Sequence, residues 1–199
     1  MFSLDTMSST KTRILEAALA LITKRQGADV SMAKIAKAAR VSRQGMYLHF
    51  ADRAELMLAL VRHTDEKCGL AAEVRRMTEA PSGVAAMEEM VSLQARLNPS
   101  IWAIARAVDA VRRTDAAAEK GWQDRLKHRL EGCRQIVARI HKEGTLKPGV
   151  SQEEAADLLW SLTSLRTWED LVLDRGWTPA QYEERVKRLL RDTLTSAKA

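Results

Sequence analysis

Residues 31–53 read SMAKIAKAARVSRQGMYLHFADR, two short helices joined by a tight turn. Ser31 is a good N-cap for the first, and Ile35 and Ala38 follow at a spacing that turns both inward. Ala39, Arg40 and Val41 make the turn. Ser42 then caps a second helix that carries Arg43, Gln44, Gly45 and Tyr47. This is helix–turn–helix spacing, in which the second helix enters a DNA major groove. Its exposed face is expected to hold Arg43, Gln44 and Tyr47, whose side chains hydrogen-bond base edges and phosphates.

The flanks extend the pattern. Upstream, Ile14, Ala17, Ala18, Leu21 and Ile22 repeat at helical spacing and give one buried stripe. Downstream, YLHF is followed by Asp52 and Glu55, a pair with the spacing of a capping box. A three-helix head feeding a fourth helix, with YLHF between them, resembles the tetracycline-repressor (TetR) family of bacterial transcription regulators. The resemblance is close over residues 10–60 and is one of helical architecture beyond them. It implies an all-α chain, with a helix–turn–helix DNA-binding domain over residues 1–54 and an effector-binding and dimerisation domain over residues 55–199. The implied DNA contacts are Ser31, Lys34, Ser42, Arg43, Gln44, Gly45, Tyr47, His49 and Arg53. Arg43, Gln44 and Tyr47 would reach the groove, and Ser31, His49 and Arg53 would clamp phosphates.

Three positions depart from the family pattern. The turn residue, often glycine in such heads, is Arg40, which at positive φ costs about 1 kcal/mol. Gly45 lies inside the recognition helix, at a cost of about 1 kcal/mol relative to alanine. Close approach to DNA and neutral drift account for it equally well. Arg53 stands where lysine is more usual, keeping the charge and adding a fork of donors.

Charge agrees with the motif. The chain of 199 residues has 32 Lys and Arg against 26 Asp and Glu, a net +6. Residues 1–60 hold nine basic and five acidic residues, so most of the excess lies in the head, as phosphate binding requires. Cys68 and Cys133 are far apart and form no CxxC, which fits a reduced cytoplasmic protein; Cys133 falls on an apolar stripe. No apolar run reaches membrane-spanning length, so no membrane association is expected. MFSLDTMSST lacks the layout of a signal peptide and reads as a short disordered arm.

The rest reads as five or six helices. One runs from Asp52 to about Met77, and Pro81-Ser82-Gly83 ends it. Val84, Met87, Val91 and Leu93 mark the next, and Asn98-Pro99 opens another, with Trp102, Ala105 and Asp109 on one face. Trp122, Leu126, Leu130, Cys133, Val137 and Ile140 form a long stripe that stops at Gly144. Ser151 and Glu154 cap a helix running to about Asp174. Thr178-Pro179-Ala180-Gln181 caps the last one. In the resembled family the last two helices pair with their copies in a dimer. That pairing implies a homodimer interface through Leu158, Leu162, Leu165, Val186 and Leu189.

No catalytic residues, metal site or cofactor are expected. His49, His63, His128 and His141 lack metal-ligand spacing, and no glycine-rich phosphate loop or nucleophile elbow is present. His63 and His128 read as solvated. All five tryptophans lie in the body, where large apolar side chains can line a cavity for a small apolar or amphipathic effector. The effector residues are taken as Met87, Met90, Trp102, Asp109, Trp122 and Trp160. A carboxylate at Asp109 needs a partner, which is Arg106, Arg112 or Arg113 or a cationic ligand. The function expected is a ligand-responsive repressor that binds a palindromic operator as a dimer. The alternatives are a DNA-binding dimer controlled by a protein partner and an enzyme that has borrowed the head.

Overall fold

The computed structural model describes residues 4–27 and 30–196, with side chains from residue 9 onward. Ten α-helices and one π-helical turn account for the regular structure among these residues, so the chain is all-α. An isolated bridge joins Leu146 and Thr195. The chain divides into two compact units, residues 1–68 with 101–124, and residues 69–100 with 125–199.

The first unit contains α1 (Leu4–Lys24), α2 (Met32–Ala38), α3 (Arg43–His49) and α4 (Arg53–Lys67). It also takes α6 (Gly83–Arg112) from Ile101 onward and α7 (Ala116–Lys142) up to Asp124. Its core is continuous. Ile14, Ala18 and Ile22 of α1 meet Ile35, Met46 and Phe50 of the helix–turn–helix, Leu56, Met57 and Leu60 of α4, and Ala103, Ile104 and Val108 of α6. Gly27, at φ 77°, packs so closely on α6 that a β-carbon there would lie 2.7 Å from the Ala103 carbonyl oxygen. Polar contacts add to this packing. Arg13 Nε donates to the Ala39 carbonyl at 3.0 Å, and Glu16 accepts from Lys67 Nζ at 2.8 Å.

The second unit contains α5 (Leu70–Thr78), the remainders of α6 and α7, α8 (Gln152–Leu162), α9 (Leu165–Trp168), the π-helical turn Glu169–Asp174 and α10 (Pro179–Leu194). Gly83 opens α6 against α7, with its N–H donating to Glu143 Oε2 at 2.8 Å. Cys133, Val137 and Ile140 of the predicted α7 stripe are fully buried, and α7 ends just before Gly144 at φ 70°. The two sides of the capping box on α10 both form, Gln181 N to Thr178 Oγ1 at 3.1 Å and Thr178 N to Gln181 Oε1 at 2.8 Å.

Several sequence expectations need correction. Ala38 is exposed, and Ala36 and Ala39 take the buried positions beside Ile35; Ala39 lies four residues on from Ile35, one helical turn along the same face. The helix from Asp52 does not reach Met77. It ends at Lys67, and Gly69 turns the chain at φ 66° before α5. Asn98-Pro99 does not start a helix but lies within α6. Proline removes one backbone hydrogen bond, yet Leu97, Asn98, Ala103 and Ile104 are buried on either side, and that packing carries the helix through. The helix from Ser151 stops at Leu162, because Thr163 and Ser164 turn their hydroxyls onto local backbone, Thr163 Oγ1 donating to the Leu159 carbonyl and Ser164 Oγ accepting from Thr167 N. The expected N-terminal arm is helical from Leu4; residues 1–3 lie outside the described residues.

Candidate nucleic-acid interface and the body residues

Each helix of the motif is fixed by its own cap. Ser31 Oγ accepts from Lys34 N at 3.4 Å, and Ser42 Oγ accepts from Gly45 N at 2.9 Å. Asp52 Oδ1 accepts from Glu55 N at 2.8 Å, while the Glu55 carboxylate reaches back one residue further than a standard box, to Ala51 N at 2.7 Å. The turn between α2 and α3 places Arg40 at φ 54°, the left-handed conformation that glycine takes at no cost.

α3 is anchored by two residues and leaves the rest outside. Met46 and Phe50 are buried, whereas Ser42, Arg43 and Gln44 are exposed, Tyr47 is 44 % exposed, and Gly45 and His49 are half-buried. Ser31 and Lys34 at the start of α2 are exposed, and Arg53 at the start of α4 is half-buried. The nine predicted DNA contacts thus lie along the α2–turn–α3 segment and the first residue of α4. Sequence reasoning missed Leu48, which at 77 % exposure is the most exposed large apolar side chain among the described residues. The signal was present: Met46 and Phe50 flank it at two-residue steps, and on a helix that puts Leu48 on the opposite side from both.

The six predicted effector residues fall into two groups. Met87, Met90 and Trp160 belong to the second unit; Trp102, Asp109 and Trp122 belong to the first. Asp109 is paired within the chain, 2.7 Å from Arg112 and 3.0 Å from Arg113, and these two arginines hold its carboxyl below the usual range against the opposing effect of burial. Three of the tryptophans carry an arginine over the ring: Arg106 over Trp102 at 5.9 Å, Arg112 over Trp122 at 5.1 Å and Arg129 over Trp160 at 4.6 Å. Met90 is buried beside Cys133, their sulfurs 3.7 Å apart, and burial pushes the Cys133 thiol up to about 11. His63 is not solvated as expected; its Nε2 lies 2.8 Å from Glu16 Oε1.

Of the predicted dimer residues, Leu158, Leu162 and Leu165 are half-buried and Leu189 is 49 % exposed. Val186 is 3 % exposed and packs inside the chain itself. No helix among the described residues is long and apolar enough to cross a membrane.

Residues 14–60 match the profile of the bacterial regulatory proteins of the tetR family. No curated protein is significantly similar to the chain in sequence. Among solved structures, the fold is similar to that of a transcriptional regulator from Saccharomonospora viridis in complex with choline, at 18 % identity and a TM-score of 0.81, covering 96 % of this chain and 100 % of that one. It is also similar to NalD, the secondary repressor of the MexAB-OprM multidrug efflux pump in Pseudomonas aeruginosa, at 20 % identity and a TM-score of 0.69 over 96 % and 100 % of the two chains. A third is the transcriptional regulator FadR from Bacillus subtilis in complex with stearoyl-CoA, at 18 % identity and a TM-score of 0.67 over 92 % and 98 %. The capped motif and its exposed second helix lie within residues 14–60, the segment that matches the tetR-family profile, and the fold of the chain is similar to that of the transcriptional regulators above.

Proposed function

We propose that the chain is a homodimeric transcriptional repressor that binds a near-palindromic operator and releases it when a small apolar or amphipathic effector occupies the body. In this reading residues 1–54 are the DNA-binding head and residues 55–199 the effector-binding and dimerisation body. The observation that carries it is α3: a helix anchored by buried Met46 and Phe50 that leaves Arg43, Gln44 and Tyr47 in water. Repression and effector binding are taken from the efflux-pump repressor and the two ligand-bound structures of similar fold. Dimerisation is supported by the exposed Leu189 and the half-buried leucines of α8 and α9, which a second copy would cover.

Two heads on one dimer read half-sites about 34–36 Å apart, one turn of DNA. Release requires an effector that prefers the DNA-incompetent arrangement, because equal affinity for both shifts nothing. The test is a mobility-shift titration on an operator recovered by selection. Tyr47→Ala and Arg43→Ala should each weaken specific binding by about 1–3 kcal/mol, while Arg53→Ala should weaken all sequences alike and lower the salt slope. Unchanged operator affinity in Tyr47→Ala would overturn the placement of the recognition helix. A body that binds no small molecule while the dimer still represses would favour control by a protein partner.

A further inference from the structure

Of the partly buried basic side chains described in the second unit, Arg139 and Lys187 bond carboxylates and Arg129 does not. Arg96 bonds Glu73 and Glu89, Arg134 bonds Glu153, Arg139 bonds Glu143, and Arg191 bonds Glu88. Among the described residues Arg129 of α7 has no acidic partner. Its Nη2 donates to the Trp160 carbonyl at 2.7 Å and its Nη1 to Thr163 Oγ1 at 3.1 Å, and both acceptors are neutral. Burial lowers its pKa, with no carboxylate opposing the shift.

The two bonds cap the C-terminal end of α8, where Trp160 lies in the last turn. A helix terminus supplies roughly half an elementary charge. That leaves a large part of the guanidinium charge uncompensated, and three of its five N–H groups are free to donate. Beside it, Trp160 Nε1 is buried without an acceptor, and an indole nitrogen can only donate. Trp168 Nε1 of the same unit is also buried and unpaired. Nearby, the buried Tyr182 hydroxyl donates to the Leu162 carbonyl at 3.1 Å, and Met90 lies 3.9 Å from Thr163 Oγ1 and 3.7 Å from Cys133.

Donors without acceptors and a cation without a counter-ion call for one kind of guest. On Trp160 the Arg129 guanidinium already lies over the ring, 4.6 Å from its centre, where a quaternary ammonium would otherwise sit. We infer that the effector is an apolar carboxylic acid, its carboxylate accepting from Arg129 and from the Trp160 indole N–H, and its chain lying against Met90. This rests on the effector-binding reading above and specifies its ligand class. A carboxylate brings the missing charge and two acceptor oxygens, and charge-assisted bonds in a desolvated setting are the strong ones.

The experiment uses the purified full-length chain and three probes of equal alkyl length: octanoate, octanol and octyltrimethylammonium. Binding is followed by tryptophan fluorescence and calorimetry. Octanoate should bind about tenfold or more tighter than either other probe. Arg129→Met should abolish that preference, and Arg129→Lys, which keeps the charge but not the fork, should retain part of it. Circular dichroism checks that the variants stay helical; the comparison of probes on the wild-type chain does not depend on them. Equal or tighter binding of octanol or the ammonium overturns the anion assignment and leaves the effector reading standing. Binding of octanoate to both variants as to wild type also overturns it. Binding of none of the three overturns the assignment together with the apolar-effector reading.

Discussion

Replacing Gly45 by alanine separates the two explanations of a glycine inside the recognition helix. In the free chain an added β-carbon would lie 3.1 Å from Ser42 Oγ and 3.9 Å from Val41 Cβ, and it meets nothing else. Alanine gains about 1 kcal/mol in helix propensity over glycine. Against this, Ser42 Oγ is the acceptor that caps α3 through Gly45 N, so shifting it by a few tenths of an ångström gives back part of a cap worth about 1 kcal/mol. The net effect is a stabilisation of about 0.5 kcal/mol, a rise in melting temperature of roughly 1–2 °C for a chain of this length. On DNA the balance reverses if glycine is there for close approach. α3 cannot shift outward cheaply, because Met46 and Phe50 fasten it to the core, so the methyl must displace the helix from the groove. Specific affinity should then fall by about tenfold or more, near the value of one lost base contact. Thermal melting and fluorescence anisotropy on an operator duplex read the two effects separately. A variant that melts higher and binds within twofold of wild type would refute close approach and leave Gly45 as drift. A variant destabilised by more than about 1 kcal/mol would refute the local reckoning itself.

Leu189→Glu should give a monomer that keeps its helicity and loses operator binding, since Leu189 is 49 % exposed and its loss costs the free chain little; a dimer in sedimentation equilibrium would remove Leu189 from the interface. Gly83→Ala should cost roughly 1–3 kcal/mol or more, because the β-carbon would lie 2.6 Å from the Ile140 backbone nitrogen, which cannot give way as a side chain can; an unchanged melting temperature would count against the close packing of α6 on α7. At neutral pH a disulfide reagent should modify Cys68 in the folded chain and reach Cys133 after unfolding, because Cys133 is fully buried and its thiol is pushed up to about 11; two fast thiols would contradict this.

The head was legible because its determinants are local. Ser31, Ser42 and Asp52 are caps whose partners lie three residues away, and the structure forms all three bonds. The off-by-one at Ala38 and Ala39 arises where α2 runs into the turn, at the edge of a helix too short to average out a misplaced face. The body was less legible because its breaks depend on packing. Pro99 reads as a helix start from local rules, and burial on either side overrules them. Thr163 and Ser164 look unremarkable inside an apolar stripe, yet their hydroxyls end α8. Val186 fits a seam by spacing, but α10 turns it inward with Tyr182 and Leu190. Asp109 was narrowed to three arginines or a ligand, and the fold brings Arg112 and Arg113. Arg129 carried no signal at all, since the lack of an acidic neighbour depends on which carboxylates the fold brings near.

The strained turn and the charge of the head belong to one argument. Residues 31–51 contain Lys34, Lys37, Arg40 and Arg43 and no acidic residue. All four are exposed. The acids whose side chains are described around them are engaged locally: Glu16 with Lys67 and His63, Asp52 with Glu55 N, and Glu55 with Ala51 N. These carboxylates keep their charge, but none lies within residues 31–51, so the α2–turn–α3 segment is more positive than the net charge of the head implies. Arginine at φ 54° costs about 1 kcal/mol that glycine would avoid. With Ala39 buried on one side and Ser42 capping on the other, the turn geometry is set by its neighbours and the strain cannot relax. In the proposed repressor that cost is set against one more cation on the surface that meets phosphate. Each phosphate neutralised adds close to one unit to the slope of log affinity against log salt, an effect that depends on charge and not on the turn's conformational preference.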